Sequence, residues 1–316
     1  MAAAIAETRL VAVTGATGFL GRRLVPALQA GGWRVRVLVR RRPPENFWGV
    51  AAPEMIVGDI ADAQALRTLA DGAGRLIHGA GLIKAARRED FARVNIEGAR
   101  LAALAAPPGG MILVSSLAAR EPELSTYAAS KRAGEIAALV VLGPRLSTVR
   151  PPAIYGPGDR ETLALFQLAA RSPGLPMPGT VQARTTLAHV DDVVATIVHS
   201  LTRRVRPPLV TVAGARPEGY SWWEIFTQAA RAVGRRPRLA SMPAWSLRAA
   251  GAAAGGLAAL SGRAAIFNSG KVAEILHADW AISRAEQGPD PLPARFDLPT
   301  GFAHTVAWYR TEGWLT

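Results

Sequence analysis

The feature that most constrains the fold is an apolar run that breaks into three glycines near the start of the chain. Residues 10–13 are long enough for a buried strand, and Gly15, Gly18 and Gly21 follow at intervals of three. Apolar residues then recur at helical spacing, so the sequence predicts a strand, a glycine turn and a helix. We expect Gly15 to allow the tight turn, Gly18 to bring backbone N–H groups close to a diphosphate, and Gly21 to let the helix pack closely on the sheet.

This turn is predicted to bind the phosphates of a dinucleotide. A helix N-terminus presents unpaired N–H groups and the positive end of its dipole to an anion. Glycine turns also occur without a ligand, but the position of this one in the first strand-helix unit favours the nucleotide interpretation. The residues expected to contact the cofactor here are Gly15, Thr17, Gly18, Phe19, Leu20 and Gly21.

Composition places the chain among soluble globular proteins. It has 316 residues, of which 49% are hydrophobic and 19% charged, which suggests one large or two moderate domains. The absence of cysteine excludes disulfides, thiol catalysis and thiolate metal sites. The net charge of +13 comes mostly from scattered arginines, which could attract nucleic acid, anionic lipid or an acidic substrate but are typical of a solvated surface. No nucleic-acid-binding module is visible, so nucleic acid is not an expected partner.

No segment is predicted to cross a membrane. Residues 1–7 lack a basic region before an apolar core and do not resemble a signal peptide, while residues 249–262 are shorter than the about 20 needed for a span. A cytoplasmic enzyme is therefore expected. Residues 243–260 are rich in Ala, Gly and Leu, and the spacing of Gly251 and Gly255 favours close helix packing. Trp245 and the alanine face are expected to line a core or an apolar pocket, with peripheral membrane contact as the alternative.

The order of elements predicts an α/β fold, a Rossmann doubly wound parallel sheet with a smaller, mostly helical C-terminal substrate-binding part. Residues 1–172 with about 180–202 are expected to form the dinucleotide-binding domain, and about 173–179 with 203–316 the substrate-binding portion. Asp62 is expected to cap a helix over 63–70, and Ser221 with Glu224 to form a capping box. The further strands are predicted at 33–39, 55–60, 76–78, 111–114 and 145–150, and the further helices at 89–105, 124–142 and 190–201.

Arg40 bears on the choice of cofactor. In folds of this type the second strand usually ends in a carboxylate that accepts from a ribose 2′-hydroxyl, whereas an arginine suits a 2′-phosphate. Arg40 ends the second predicted strand and therefore favours NADP over NAD, although Arg40, Arg41 and Arg42 could also form an ordinary solvated loop. Ala80 and Gly81 form a small-residue turn after the fourth strand, which would let backbone lie against the cofactor.

Three side chains after the fifth strand can carry proton chemistry. Ser116 follows that strand, and Tyr127 and Lys131 lie one turn apart on one face of the next predicted helix. A nearby ammonium favours a phenolate, and a serine hydroxyl can orient a substrate oxygen while tyrosine moves the proton. Asn95 lies beside the apolar face of its helix. Because asparagine is a poor helix former, we expect its side chain either to make a local hydrogen bond or to have a functional role.

No metal site is predicted from the histidines. His78 lies on a strand and is expected to be a core residue with its hydrogen bonds satisfied. His189 precedes Asp191 and Asp192 in the first turn of a predicted helix. Helix capping and compensation of the helix dipole explain this trio better than a bound metal does.

Together these motifs resemble the extended branch of the short-chain dehydrogenase/reductase family, the group similar to NAD-dependent epimerases and dehydratases. The matching residues are Thr14 with the three glycines, Asp59-Ile60, Asn95, Ser116, Tyr127 with Lys131, residues 150–159 and residues 189–193. The resemblance implies that Tyr127 is the catalytic acid/base and that Lys131 binds the nicotinamide ribose and depresses the tyrosine pKa. It also implies that Ser116, or its neighbour Ser115, holds the substrate oxygen, and that Asn95 belongs to the catalytic residues.

The resemblance further implies contacts around the rest of the cofactor. Asp59 would meet the adenine amino group and Ile60 the ring edge. The loop from Pro151 to Ile154 would lie over the cofactor. A homodimer is an expectation by analogy, through helices that flank the sixth strand.

Three functions remain open from the sequence. The leading hypothesis is an NAD(P)-dependent oxidoreductase that interconverts a secondary alcohol and a ketone on an apolar small-molecule substrate. The alternative is a nucleotide-sugar epimerase or dehydratase with tightly bound NAD, although Thr126, Ala128 and the Ala153-Ile154 pair depart from the pattern common in those enzymes. The third is a non-catalytic cofactor-binding assembly subunit or redox sensor.

Overall fold

The computed structural model of the chain describes residues 9–172, 174–178, 183–203, 205–261, 265 and 267–315. The N-terminal segment 1–7 lies outside the described residues. So do parts of the predicted junction between the two portions, residues 173 and 179–182, and the end of the apolar stretch at residue 262.

Seven parallel strands form the central sheet. Its order is β3-β2-β1-β4-β5-β6-β10, and every neighbouring pair is parallel. Strand order reverses between β1 and β4, which opens a crevice at the carboxyl ends of these two strands. The strands are β1 Leu10–Thr14, β2 Arg34–Val39, β3 Glu54–Val57, β4 Arg75–His78, β5 Met111–Val114, β6 Leu146–Arg150, β7 Ala153–Tyr155, β8 Leu175–Pro178, β9 Leu187–His189, β10 Leu209–Thr211 and β11 Leu239–Met242.

Helices cover both faces of the sheet, as a doubly wound fold requires. The predicted caps are confirmed: Asp62 accepts from two backbone N–H groups of its helix, and Ser221 with Glu224 forms a reciprocal capping box. The helices are α1 Phe19–Ala30, α2 Ala63–Ala70, α3 Arg88–Phe91, α4 Gly98–Ala105, α5 Thr126–Leu142, α6 Leu163–Arg171, α7 Val190–Thr202, α8 Trp222–Ala232, α9 Ala244–Leu260, α10 Ser269–Leu276 and α11 Leu298–Thr311.

Two apolar cores lie on opposite sides of β1. Val11 and Val13 pack with residues of α1 and α7, including Leu28 and Ile197. Ala12, which points the other way along the pleat, packs with α2, α4 and α5. The continuous apolar run of β1 is explained by this burial on both faces.

The C-terminal part has its own core and contributes one strand to the main sheet. Phe166 of α6, Phe302 of α11 and Tyr155 of β7 meet edge to face, with 5.0 Å between the ring centroids of Phe302 and each of the other two. The strand β10 pairs with β6 at the sheet edge, so the sheet extends past residue 203, where the substrate-binding portion was expected to begin. At three residues, β10 is too short to show a periodicity in the sequence.

The predicted helix over 89–105 is not a regular α-helix. Its centre, Ala92–Glu97, is a π-helical segment between α3 and α4. Asn95 is buried there, and the buried face of α4 runs through Ala99 and Ala102. The cause is the close approach of α5, because a Cβ at Gly134 would lie 2.2 Å from the Asn95 carbonyl oxygen.

A buried ion pair fixes α5 to the sheet. Arg150 of β6 donates through Nε and a terminal nitrogen to the two oxygens of Glu135, at 2.8 and 2.5 Å. These side chains are 8% and 9% exposed. Arg100 and Glu97 form a pair of similar geometry on the surface, where both side chains are 44% exposed.

Replacing Glu135 by Gln should destabilise the fold strongly, since it leaves the Arg150 guanidinium buried without a counter-charge. We expect the free energy of unfolding in urea at neutral pH to fall by about 3–5 kcal/mol. The matched control is Glu97→Gln, which breaks the exposed pair and should cost far less. If both variants lose the same free energy of unfolding, burial does not determine how much each ion pair contributes to stability.

Candidate active site

The glycine turn closes on itself and on the turn that follows β4. Gly15 has a φ of +75°, and a Cβ there would lie 2.5 Å from the carbonyl group of Gly79. The Gly18 amide donates to the Gly15 carbonyl oxygen at 3.0 Å. A Cβ at Gly21 would lie 2.2 Å from that same oxygen. Gly21 therefore permits close packing of α1 on the turn itself, rather than on the sheet as expected.

The first turn of α1 faces the crevice without a competing anion. Thr17 and Gly18 are exposed, no side chain caps the helix, and no acidic residue lies in its first turn. The unpaired N–H groups and the dipole of α1 are thus available to a diphosphate. These features fit a dinucleotide at the position where the sequence predicted one.

Buried hydrogen bonds hold the second wall of the crevice, after β4. The Thr14 hydroxyl bonds to His78 Nδ1 at 2.9 Å and accepts from the Ala80 amide at 3.2 Å. Burial lowers the pKa of His78 to about 3, so this ring is neutral at physiological pH. His78 is therefore the satisfied core histidine that the sequence predicted.

Asn95 fixes the backbone that follows Gly81. Its Oδ1 accepts from the Leu82 amide at 2.8 Å, and its Nδ2 donates to the Leu82 carbonyl at 3.0 Å and to the Ser130 hydroxyl at 2.8 Å. A Cβ at Gly81 would lie 3.3 Å from Asn95 Oδ1 and 3.6 Å from the Lys131 ammonium nitrogen. Asn95 is a positioning residue here, since its amide is occupied by protein groups.

Ser116, Tyr127 and Lys131 meet at the carboxyl end of β5. Ser116 Oγ accepts from the Ala118 amide at 3.2 Å, and the Ser116 hydroxyl is close enough to the Tyr127 phenol to lower its pKa. The Lys131 ammonium donates to the Val114 carbonyl oxygen at 3.0 Å. Ser115 is buried, and its hydroxyl has no partner among the described residues. The structure therefore places Ser116, not Ser115, beside the phenol.

Burial dominates the electrostatics of Tyr127 and Lys131. It raises the pKa of Tyr127 to about 12, against the opposing hydrogen bond with Ser116. Burial lowers the pKa of Lys131 to about 8, partly offset by the Glu135 carboxylate. The net shift of the tyrosine pKa is therefore upward, not downward as expected, because loss of hydration penalises the phenolate more than its neighbours stabilise it.

The chain matches a known family over most of the Rossmann part. Residues 11–213, well over half of the sequence, match the NAD dependent epimerase/dehydratase family. The chain belongs to this family. It is an NAD(P)-dependent oxidoreductase of the extended short-chain dehydrogenase/reductase type.

Individual relatives cover nearly the whole chain. A ceramide reductase from Caulobacter vibrioides (strain NA1000 / CB15N) is 51% identical over 308 residues, which cover 97% of this chain and 96% of the relative. Sterol demethylase protein B from Methylococcus capsulatus is 28% identical over 346 residues, which cover 96% and 99%. The crystal structure of gox2253 superposes with a TM-score of 0.75 at 23% identity, covering 97% and 99% of the two chains, and shows the shared fold.

The end of the crevice beside β2 and β3 is open. Arg40 follows β2 and is exposed, with no ion pair among the described residues. Asp59 lies after β3 and accepts from the Ala61 amide at 3.0 Å. Ile60 is buried against Gly98 of α4, where a Cβ would lie 3.0 Å from it.

The residues after β6 contact two other parts of the chain. The Pro151 carbonyl accepts from the Leu117 amide at 2.8 Å. Ile154 belongs to β7, which pairs in parallel with β9. The structure thus brings Pro151 beside the Ser116 turn.

The Glu274 carboxylate, which was not predicted from the sequence, lies at the start of α5 near Tyr127. Glu274 of α10 is buried, accepts from the Ser125 hydroxyl at 2.5 Å and pairs with Lys271 at 3.1 Å. Ser125 also caps α5, and the Glu274 charge contributes to the raised pKa of Tyr127. No local pattern reveals this link, because the two partners are 149 positions apart.

The capping interpretation of His189 describes most of the contacts around it. His189 Nδ1 accepts from the Asp191 amide at 3.2 Å, and both Asp191 oxygens accept from Arg23 at 2.9 Å. Asp192 accepts from the backbone amide of Arg295 at 3.0 Å. His304 Nδ1 lies 3.2 Å from His189 Nε2, so three side chains that could hold a metal ion come within 4.8 Å. Of these three side chains, the Asp191 carboxylate is already paired with Arg23.

The expectation for the apolar stretch 243–260 is partly wrong. It forms α9, and Gly251 packs closely against α10, where a Cβ would lie 2.5 Å from Val272. Trp245, however, is exposed rather than part of a core or pocket. Within the described residues, no helix has the length and hydropathy needed to span a bilayer.

The pH profile of NAD(P)-dependent turnover should report the titration of Lys131. Because the Lys131 pKa is lowered to about 8, its positive charge is present below that pH and is lost as the pH rises through it. We expect kcat/KM to fall above about pH 8 in the wild type and this limb to vanish in Lys131→Met. Tyr127, with a pKa near 12, stays protonated across the measurable range.

The control for this profile is Lys84→Met, which removes a half-exposed ammonium and should keep the limb. A limb near pH 8 that survives in Lys131→Met would contradict the assignment.

Proposed function

We propose that this enzyme reduces a ketone on a long-chain, ceramide-like lipid to a secondary alcohol, with NADP as its preferred cofactor. The observation that carries the proposal is the grouping of Ser116 and Tyr127 at the end of β5, with Lys131 one turn away on α5 and close to Gly81. The substrate class is supported by 51% identity to a ceramide reductase over nearly the full length of both chains.

The chemistry divides between the cofactor and this chain. When bound, the reduced nicotinamide supplies the two electrons and the hydrogen that go to the carbonyl carbon. Ser116 Oγ would bind the carbonyl oxygen, and the Tyr127 hydroxyl would give that oxygen its proton. A phenol with a pKa near 12 is fully protonated at neutral pH, which suits the direction of reduction. The Lys131 ammonium, held by the Val114 carbonyl, would bind the ribose hydroxyls and favour the developing phenolate.

The preference for NADP is supported by Arg40. It is exposed at the carboxyl end of β2, where the ribose of the adenosine half would lie in this fold. A guanidinium can bind a 2′-phosphate through paired N–H groups. The turn residues Thr17, Phe19 and Leu20, with Ala80 and Gly81, would complete the cofactor contacts.

A homodimer is proposed through α4 and α5. These helices expose Leu104, Ile136, Leu139 and Val140, and a second copy could cover them.

Tyr127→Phe should abolish reduction while leaving cofactor affinity nearly unchanged. Removal of a general acid costs about 10²–10⁴-fold in kcat, whereas the ring still fills its site. The readout is NADPH oxidation with a ceramide that carries a ketone on its sphingoid chain, together with NADPH binding measured by fluorescence.

Tyr220→Phe is the control, since it removes a buried phenol oxygen from the C-terminal core instead. Retained turnover in Tyr127→Phe would overturn the mechanism. Turnover of a nucleotide sugar without added cofactor, and none of the lipid ketone, would overturn the substrate class in favour of an epimerase.

Arg40→Asp should shift the cofactor preference from NADP towards NAD. We expect KM for NADPH to rise at least about tenfold, because the carboxylate repels the 2′-phosphate, while KM for NADH falls or is unchanged. Arg34→Asp makes the same charge change at the opposite end of β2, about 20 Å away, and should leave both values near wild type. Equal effects of the two variants would refute a specific contact with Arg40.

A further inference from the structure

The helix α9 exposes an apolar face along its whole length. Trp245, Leu257 and Leu260 are 71%, 69% and 89% exposed. The other exposed residues of this face are small: Ala249, Ala252, Ala253 and Gly256. At 3.6 residues per turn these seven positions fall within about 140° of the helix circumference. The opposite side of α9 packs on α10 through Gly251.

The sequence around this face is strongly basic. Between Glu224 and Glu274 the chain has no aspartate or glutamate. The same stretch contains seven basic residues, Arg231, Arg235, Arg236, Arg238, Arg248, Arg263 and Lys271. In the described part of the stretch, the five arginines from 231 to 248 are exposed. The apolar helix face therefore belongs to a stretch of sequence that carries exposed positive charge and no carboxylate.

We propose that this face of α9 docks the protein on a lipid bilayer that contains anionic phospholipids. Tryptophan and leucine side chains insert at the boundary between headgroups and acyl chains, while arginines bind the phosphate groups beside them. The 17 residues of α9 are fewer than a span requires, so the helix would lie in the plane of the membrane. A second copy of this chain is a poorer occupant, because it would bring two basic surfaces together.

A cavity beside α9 gives this orientation a functional consequence, and this step alone rests on the proposed function. The cavity has a volume of about 540 Å³ and is lined by Arg248 and Ala252 of α9, by α10 and by Leu124. Leu124 and Tyr127 pack against the same apolar cluster. Alkyl chains that leave the bilayer at α9 would meet this cavity, and its Leu124 wall packs against the cluster that Tyr127 also contacts.

The test is sedimentation of the full-length protein with vesicles, in the absence of cofactor and substrate. We expect roughly fivefold more protein on vesicles with about one third phosphatidylglycerol than on pure phosphatidylcholine, and less in high salt. The double variant Trp245→Ala/Leu260→Ser should lose most of this binding. Arg236→Gln/Arg238→Gln should lower binding to the anionic vesicles only.

The matched control is Val205→Ser. Val205 is 81% exposed and lies close to arginines in sequence, but it is outside the α9 surface, so this variant should bind like wild type. Because the double variant leaves the Ser116-Tyr127-Lys131 site intact, its reduction of a short, water-soluble ketone should stay at the wild-type rate. Its rate on a lipid ketone embedded in vesicles should fall with binding. If the wild type reduces neither the short ketone nor the lipid ketone, the result counts against the proposed function and not against docking.

Three results would overturn the docking proposal. The first is wild-type protein that does not bind anionic vesicles, and the second is a double variant that binds them as well as wild type. The third is a dimer in analytical ultracentrifugation without vesicles that the double variant converts into a monomer, which would assign the face to a second copy of the chain.

Discussion

The site depends on the close approach of two backbone turns, the one that follows β1 and the one that follows β4. Gly15 lies so near Gly79 that any side chain at Gly15 would overlap the main chain. Thr14 and His78, both buried, hold the two strand ends together through one hydrogen bond. This contact sets the width of the crevice and aims the uncapped N-terminus of α1 into it.

The position of α5 is the second constraint, and it carries the reactive groups. Three contacts fix this helix: the Glu135–Arg150 ion pair to β6, the close packing of Gly134 on the π-helical segment, and the Lys131 bond to the end of β5. Ser130 on the same helix bonds to Asn95, which in turn holds the backbone after Gly81. The walls of the crevice and the catalytic helix are therefore one hydrogen-bonded unit.

Local patterns in the sequence were sufficient for much of this architecture. The glycine turn, the strand-helix order, the caps at Asp62 and Ser221, and the shared helix of Tyr127 and Lys131 all depend on neighbours within a few positions. Family resemblance supplied the roles of these residues, while the structure supplied their partners.

Other features depend on distant contacts and could not be predicted from local patterns. The π-helical segment at Asn95 results from packing against Gly134, and Glu274 reaches the start of α5 from another part of the chain. The raised pKa of Tyr127 has the same origin, because burial is a property of the assembled fold. The exposure of Trp245 could not be predicted from composition either, because large apolar residues usually pack inside.

Burial sets the charge of the two groups that the proposed reduction would use. It keeps the proton on the Tyr127 phenol and lowers the pKa of the Lys131 ammonium to about 8. The uncapped N-terminus of α1 and the exposed Arg40 follow β1 and β2, at the same edge of the sheet. The account therefore requires one ligand to contact all of these groups.

The most direct test is a crystal structure of the protein with NADP bound. The account predicts that the diphosphate contacts the backbone amides between Gly15 and Gly18, and that the Lys131 ammonium and the Tyr127 hydroxyl lie within hydrogen-bond distance of the nicotinamide ribose. A dinucleotide bound elsewhere, or a nicotinamide beyond the reach of Tyr127, would contradict it.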